Sequence, residues 1–404
     1  MRKLQGAADA QAAGIAWGGL LLVALGHAAV DFYMGVLPPL MPQIVKQLGL
    51  SLTLGASIMS IASTLSSFSQ PLFGYLIDRG GRNWLMVAAV VWTGAFVSAL
   101  SFAHSYWAVV ALALLGSIGS AFYHPLGSAN ASGLAGQGKR GLAMSIYSTG
   151  GSLGYALAPL AMAPLLATDS LGRLPFFFAV AAVCAVGMAA ARVHAVPAPG
   201  SRRAGDGHFA AELLAGWRQL LLVVAVVSLR AWSQTAITYL VPFRFAGQGA
   251  NLLLTLFLLA GTAGGMVGGF ISDRIGRKAT LIASSALAMP LFWLGAAADG
   301  RLSWLGLILG GAVLNAAFPA TIVFAQELVP SNAGFASGLT MGLSWGIGAL
   351  GLTLTGRIGD LHGLKAAFMF DLVLLAAAVL LSLPLRMRRN SPHTAAAAAP
   401  IGGR

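Results

Sequence analysis

Ionisable side chains are scarce inside the long apolar runs of this chain, and each one there calls for a chemical reason. His27 and Asp31 stand four residues apart, so both project from one face of a helix. Counted from Trp17 at about 1.5 Å per residue, they lie roughly 15 and 21 Å along that helix, near the middle of a bilayer. An imidazole that titrates close to physiological pH, beside a carboxylate, can take up a proton and pass it on. The competing reading is a hydrogen-bonded pair that only fastens this helix to a neighbour. One His and one Asp are too few ligands for a metal site, and none is expected. Arg230 lies about 20 Å into another apolar run. Its planar fork suits carboxylate or phosphonate groups, and Gln234, one turn on, shares its face; the competing reading is a structural pairing with a backbone carbonyl or a Glu. Asp31 and Arg230 are expected to face each other, or a shared ligand, across a central cavity.

Other candidates are less specific. His124 precedes Pro125, so it reads equally as part of a helix bend or as a proton relay. Glu327 reads as a gate or loop salt bridge, and Asp371 as structural or interfacial. Tyr123 and Tyr239 are candidate substrate contacts; Tyr147, Tyr155, Trp232 and Trp345 could line a cavity too, although each alone is more often packing. A loop motif running through Gly74, Asp78, Arg79, Gly81 and Arg82 recurs 195 residues on, through Gly269, Asp273, Arg274, Gly276, Arg277 and Lys278. The glycines would let neighbouring helices approach, and the aspartates would cap the next turn and meet cations when a gate closes. A plain basic loop is the bland alternative. No phosphate-binding loop, nucleophile elbow or metal-ligand cluster is present, so neither an enzyme, nor direct ATP drive, nor a cofactor is expected.

The elements that position these residues follow from composition. Of 404 residues, 57% are hydrophobic and only 9% charged, with mean hydropathy +0.81. A soluble protein carries about a quarter charged residues, so a bilayer must solvate this surface. At about 32 residues per helix and loop, the length predicts twelve membrane-spanning helices. Continuous apolar runs such as Trp84–Ala103 exclude the alternation of a β-barrel. The twelve spans fall near residues 15–40, 52–77, 84–103, 106–132, 141–167, 174–194, 217–244, 251–272, 279–298, 302–326, 334–358 and 366–386. The Pro-, Gly- and Arg-containing stretch 195–216 reads as a linker between halves 1–194 and 217–389, and 390–404 as a disordered tail. With the amino terminus inside, 17 of the 24 Lys and Arg residues fall in inner segments and 6 in outer ones. Both termini are therefore expected in the cytoplasm. The +13 charge follows these loops, which argues against nucleic acid. Cys184 is the one cysteine, so no intrachain disulfide forms. The first apolar run is too long for a signal-peptide core. The parallel repeat places a substrate site near the midplane, between the halves.

The doubled loop motif resembles the signature of the major facilitator superfamily. Within it the chain is similar to the fosmidomycin-resistance group of transporters. That likeness rests on His27 and Asp31, on Phe122-Tyr123-His124-Pro125, on Arg140-Gly141-Leu142-Ala143, on Gly150-Gly151 with Gly154, on Ala325-Gln326-Glu327-Leu328 with Pro330, and on Ser337-Gly338-Leu339. Two positions depart: Asn83 stands where the loop signature has a cation, and Tyr155 follows Gly154 where antiporters often carry proline. The resemblance implies an all-α membrane protein of two six-helix halves and drug-type efflux in exchange for protons; Arg230 points to a small polar or anionic cargo. His27, Asp31 and His124 would couple protons; Arg230, Gln234, Tyr123 and Tyr239 would bind substrate; the two loop motifs and Glu327 would gate. A proton-coupled importer of a small organic anion is the alternative. The expected setting is a bacterial inner membrane, with the protein a monomer.

Overall fold

The computed structural model describes residues 14–80, 84–136, 139–168, 171–190, 209–329 and 333–386. Among these the chain is helical, with no strand and one isolated bridge between Ile15 and Ala135. The first half contains α1 (Trp17–Leu48), α2 (Leu52–Gly80), α3 (Trp84–Ser98), α4 (Tyr106–Gly133), α5 (Arg140–Leu166) and α6 (Phe178–Ala190). The second contains α7 (Phe209–Arg244), α8 (Ala250–Ile275), α9 (Arg277–Ala297), α10 (Gly300–Asn315), α11 (Phe318–Leu328), α12 (Ala333–Gly338) and α13 (Ser344–Ser382).

Among the described residues, ten segments are long and apolar enough to cross a membrane. The expected count of twelve differs for two physical reasons. The segment Phe335–Ser382 runs on through Gly363, whose φ of 83° breaks the helix without a loop. The 27-residue α5 is long enough, but its Gly-, Ser- and Tyr-containing sequence lowers its hydropathy. Further differences are local. The tenth expected span is split between α10 and α11, and α13 is entered through a π turn at Leu339–Leu343. Helix α7 starts at Phe209, so 209–216 of the expected linker is helical. Residues 195–208 of that linker and the 390–404 tail lie outside the described residues.

Small residues set the helix contacts, since lipid supplies no hydrophobic drive between helices. A Cβ on Gly150 would stand 2.5 Å from the Ala24 carbonyl oxygen, and one on Gly154 would strike the Ala28 carbonyl, so α5 lies directly on α1. In the second half Gly264 and Gly268 bring α8 onto the Ala312 and Ala316 carbonyls in the same way. Large apolar side chains such as Phe270 (74% exposed) and Trp107 (73%) face outward, as a lipid-solvated surface requires.

The halves meet through α2 and α13 on one side and through α5 and α8 on another. Ser60 donates to the Ala349 carbonyl at 2.6 Å, Thr64 to Gly346 at 3.1 Å, and Thr353 to Ser60 at 3.0 Å. These contacts lie toward the end of the bundle that carries Leu52 and Asp360, opposite the two basic loop motifs.

Candidate functional site

In the first half, three helices converge on one partly buried cluster. His27 and Asp31 come from α1, His124 from α4, and α5 supplies the wall. His27 Nε2 lies 3.2 Å from Asp31 Oδ2 and 3.2 Å from His124 Nδ1, and His124 Nε2 lies 3.3 Å from Asp31 Oδ1. Ser120, one turn before His124, places its hydroxyl 3.0 Å from His124 Nε2. Asp31 fits here because α5 carries glycine at 151. A Cβ there would stand 2.6 Å from both Asp31 Oδ2 and His27 Nε2. The Tyr147 ring stacks on His27 at 4.1 Å, and its hydroxyl donates to the His124 carbonyl at 3.2 Å.

Hydrogen-bond logic restricts the protons. His27 Nδ1 lies 2.8 Å from the Tyr147 carbonyl oxygen, which only accepts, so Nδ1 carries a hydrogen. Nε2 then faces a carboxylate oxygen. If Nε2 were unprotonated, its lone pair would point at that oxygen. The cluster is satisfied when it holds one proton more than two neutral imidazoles and an ionised carboxylate. Its ligating atoms also lie within 4.8 Å of one another, the spacing of a three-ligand metal site. The sequence reading counted two such groups; folding adds His124 as the third.

The second half presents a cavity lined by Arg230, Gln234, Asn315, Phe318, Thr321 and Trp345, among others. Arg230 is 7% exposed; it donates through Nη1 to the Ser285 hydroxyl and through Nη2 to the Leu314 carbonyl. Neither partner is charged, and no described carboxylate pairs with it. Gln234 Oε1 accepts from Asn315 Nδ2 at 3.0 Å. The cavity is thus a buried cation and two amides against the aromatic corner of Phe318 and Trp345, whose rings meet edge-on at 6.3 Å.

The direct opposition of Asp31 and Arg230 is not formed. Each is taken by nearer partners in its own half, and none of the ion pairs among the described residues joins them. Tyr123 and Tyr239 are 0% exposed, and their hydroxyls donate to the Val23 and Leu52 carbonyls at 2.7 Å each. In this conformation both are helix fasteners and present no hydroxyl to the cavity.

In the gate motifs, Glu327 pairs with Arg277 at 2.5 Å, joining the end of α11 to the start of α9 inside one half. Lys278 donates to the Leu383 carbonyl at 2.6 Å. Asp273 and Arg274 are exposed. Gly276 is needed for its φ of 88° at the sharp break between α8 and α9. Gly74 and Gly269 do not mark close helix approach: a Cβ on Gly74 would meet only Pro125 at an ordinary 3.7 Å, and one on Gly269 would meet nothing within 4 Å. Close approach falls at Gly268, one residue earlier. Asp78 and Arg79 fall in the last turn of α2, and Arg82 lies outside the described residues.

Two further acidic residues find their partners only in the fold. Asp371, read as structural or interfacial, is 1% exposed and accepts from the Ser233 hydroxyl at 2.7 Å, a structural position in the core. Asp360 in α13 reaches the start of α2; its only sequence signal was an acidic residue before a turn.

The family model of the Major Facilitator Superfamily matches residues 23–249 and 231–402. The chain is 30% identical over 369 residues to the fosmidomycin resistance protein of Escherichia coli K12, covering 88% of this chain and 89% of that one. It is 30% identical over 357 residues to an uncharacterised MFS-type transporter of Bacillus subtilis, YfnC, covering 85% and 87%. A bacterial homologue of the human lysosomal transporter Spinster, solved in an inward-facing, occupied conformation, superposes with TM-score 0.76 at 15% identity over 90% of this chain and 95% of that one, a likeness of fold alone.

Proposed function

Since the chain belongs to the major facilitator superfamily, a family of membrane transporters and not of enzymes, we propose that it is a proton-coupled exporter of small polar or anionic compounds. The observation that carries this reading is the partly buried triad of His27, Asp31 and His124, in which two imidazoles close on one carboxylate at 3.2 and 3.3 Å. Ionisable groups at this depth are costly and persist where they serve transport. Loss of the proton leaves a lone pair facing a carboxylate, which loosens α1 from α4 and α5. The triad thereby converts proton occupancy into helix packing.

Arg230 is the group for the substrate. A buried guanidinium with only neutral partners favours an anion, and the neighbouring amides and the Phe318–Trp345 corner suit a compound with an apolar body. Proton and substrate are held on α1 and α7, the first helices of the two halves, so each ligand biases the packing of one half against the other. Similarity to the fosmidomycin resistance protein supports export as the direction. In this reading the chain crosses a bacterial inner membrane twelve times. Helix α5 and the two arms of α13 around Gly363 account for the spans beyond the strongly apolar set. Residues 1–194 and 217–389 are the halves, the basic loop motifs and both termini face the cytoplasm, and the monomer is the working unit.

The test is the sign of flux in proteoliposomes under an imposed pH gradient, using a panel of radiolabelled organic anions. Export by exchange requires substrate to leave the compartment that protons enter. Movement of substrate together with protons would replace this reading with that of a proton-coupled anion importer.

A further inference from the structure

The start of α2 has its backbone donors met from two sides. Ser51, the local cap, accepts from the Leu54 N–H at 3.2 Å. The Leu52 and Thr53 N–H groups donate instead to Oδ1 and Oδ2 of Asp360, at 2.8 and 2.9 Å, and the Thr53 hydroxyl donates to Oδ2 as well. Asp360 lies in α13, 307 residues away in the other half. The same turn is held from α7, where the Tyr239 hydroxyl donates to the Leu52 carbonyl at 2.7 Å. Below it the two helices touch: a Cβ on Gly356 would stand 2.7 Å from the Leu52 carbonyl oxygen.

We propose that Asp360 is a gate residue of the transport cycle, a carboxylate that caps α2 from the opposite half and holds the outer end of the bundle shut. The electrostatics suit that role. The first turn of a helix presents unpaired N–H groups and a partial positive charge, so a carboxylate placed there gains charge-assisted hydrogen bonds. Asp360 is exposed and therefore next to water, so the bonds can exchange for solvent when the halves separate. Because the donors and the acceptor belong to different halves, an alternating-access movement that opens this end must break all three bonds together. The loop motifs with Asp78 and Asp273 stand at the other end of the bundle and cannot serve here. The inference rests on the transporter reading above, but on neither its substrate nor its proton coupling.

The test probes a single introduced thiol, since only one native cysteine has to be removed. In a Cys184→Ser background, Ser60→Cys places a thiol on α2 at a position that is 3% exposed and bonded across to Ala349. The protein is purified in detergent and labelled with a maleimide, without substrate and without a pH gradient. Asp360→Ala should raise the labelling rate about tenfold, the weight of a hydrogen bond to a charged group. Asp360→Asn should give an intermediate rate, and Thr53→Val should add little once Asp360 is already alanine. Parental labelling in a folded Asp360→Ala protein overturns the proposal. If that variant does not fold, parental labelling in both Asp360→Asn and Thr53→Val overturns it equally. Failure of proton-driven transport would leave these rates unchanged, so the two readings fail separately.

Discussion

Gly151→Ala is the most searching perturbation of the triad, because it alters none of the three side chains. The added Cβ would stand 2.6 Å from Asp31 Oδ2 and from His27 Nε2, where real Cβ atoms keep at least 3.0 Å. These two atoms must give by about 0.4 Å (3.0 − 2.6), and His27 Cε1, which the Cβ would approach closer still, by more. Helix α5 cannot retreat alone, since Gly150 and Gly154 seat it on the Ala24 and Ala28 carbonyls. His27 is held by the Tyr147 carbonyl and Asp31 by both imidazoles, so the displacement falls on the 3.2 Å contacts of the triad. Overpacking costs about 1–3 kcal/mol, while replacing a helical glycine by alanine returns about 1 kcal/mol. The net loss of stability is therefore about 0–2 kcal/mol, which the fold survives. Disrupting one charge-assisted hydrogen bond of the triad should lower flux driven by a pH gradient about tenfold. Thermal unfolding of the purified protein and flux in proteoliposomes measure the two effects. Gly187→Ala in α6, where a Cβ meets nothing within 4 Å, is the control. Gradient-driven flux in Gly151→Ala equal to that of the control would refute the claim that this glycine makes room for the proton site.

Asp31→Asn should keep the fold and abolish the pH dependence of transport, read as flux from pH 5 to 8, the range in which imidazoles titrate; a retained profile removes Asp31 from coupling. Arg230→Ala should weaken organic anions about 10–100-fold and leave uncharged compounds unaffected, which calorimetric titration of the purified protein will show. Exhaustive chelation should alter neither flux nor its pH profile; a loss restored by zinc would make the triad a metal site instead.

The sequence by itself determined the solvent and the plan. Charge at 9% of residues required a bilayer, and a loop motif repeated at 195 residues pointed to two related halves. Spacing alone also put His27 and Asp31 on one face, because four residues are about one helical turn. The glycines at 150, 151 and 154 were visible as a motif, but what they admit was not. Tertiary structure decided the partners. His124 joins Asp31 although 93 positions separate them (124 − 31), and Arg230 turns to Ser285 and Leu314, not to Asp31. Tyr123 and Tyr239 proved to be fasteners, and Asp360 reached across to α2, because a side chain's partner depends on how helices rotate and cross. Hydropathy carries no record of that rotation in lipid, where every outward face is apolar and small residues set the contacts.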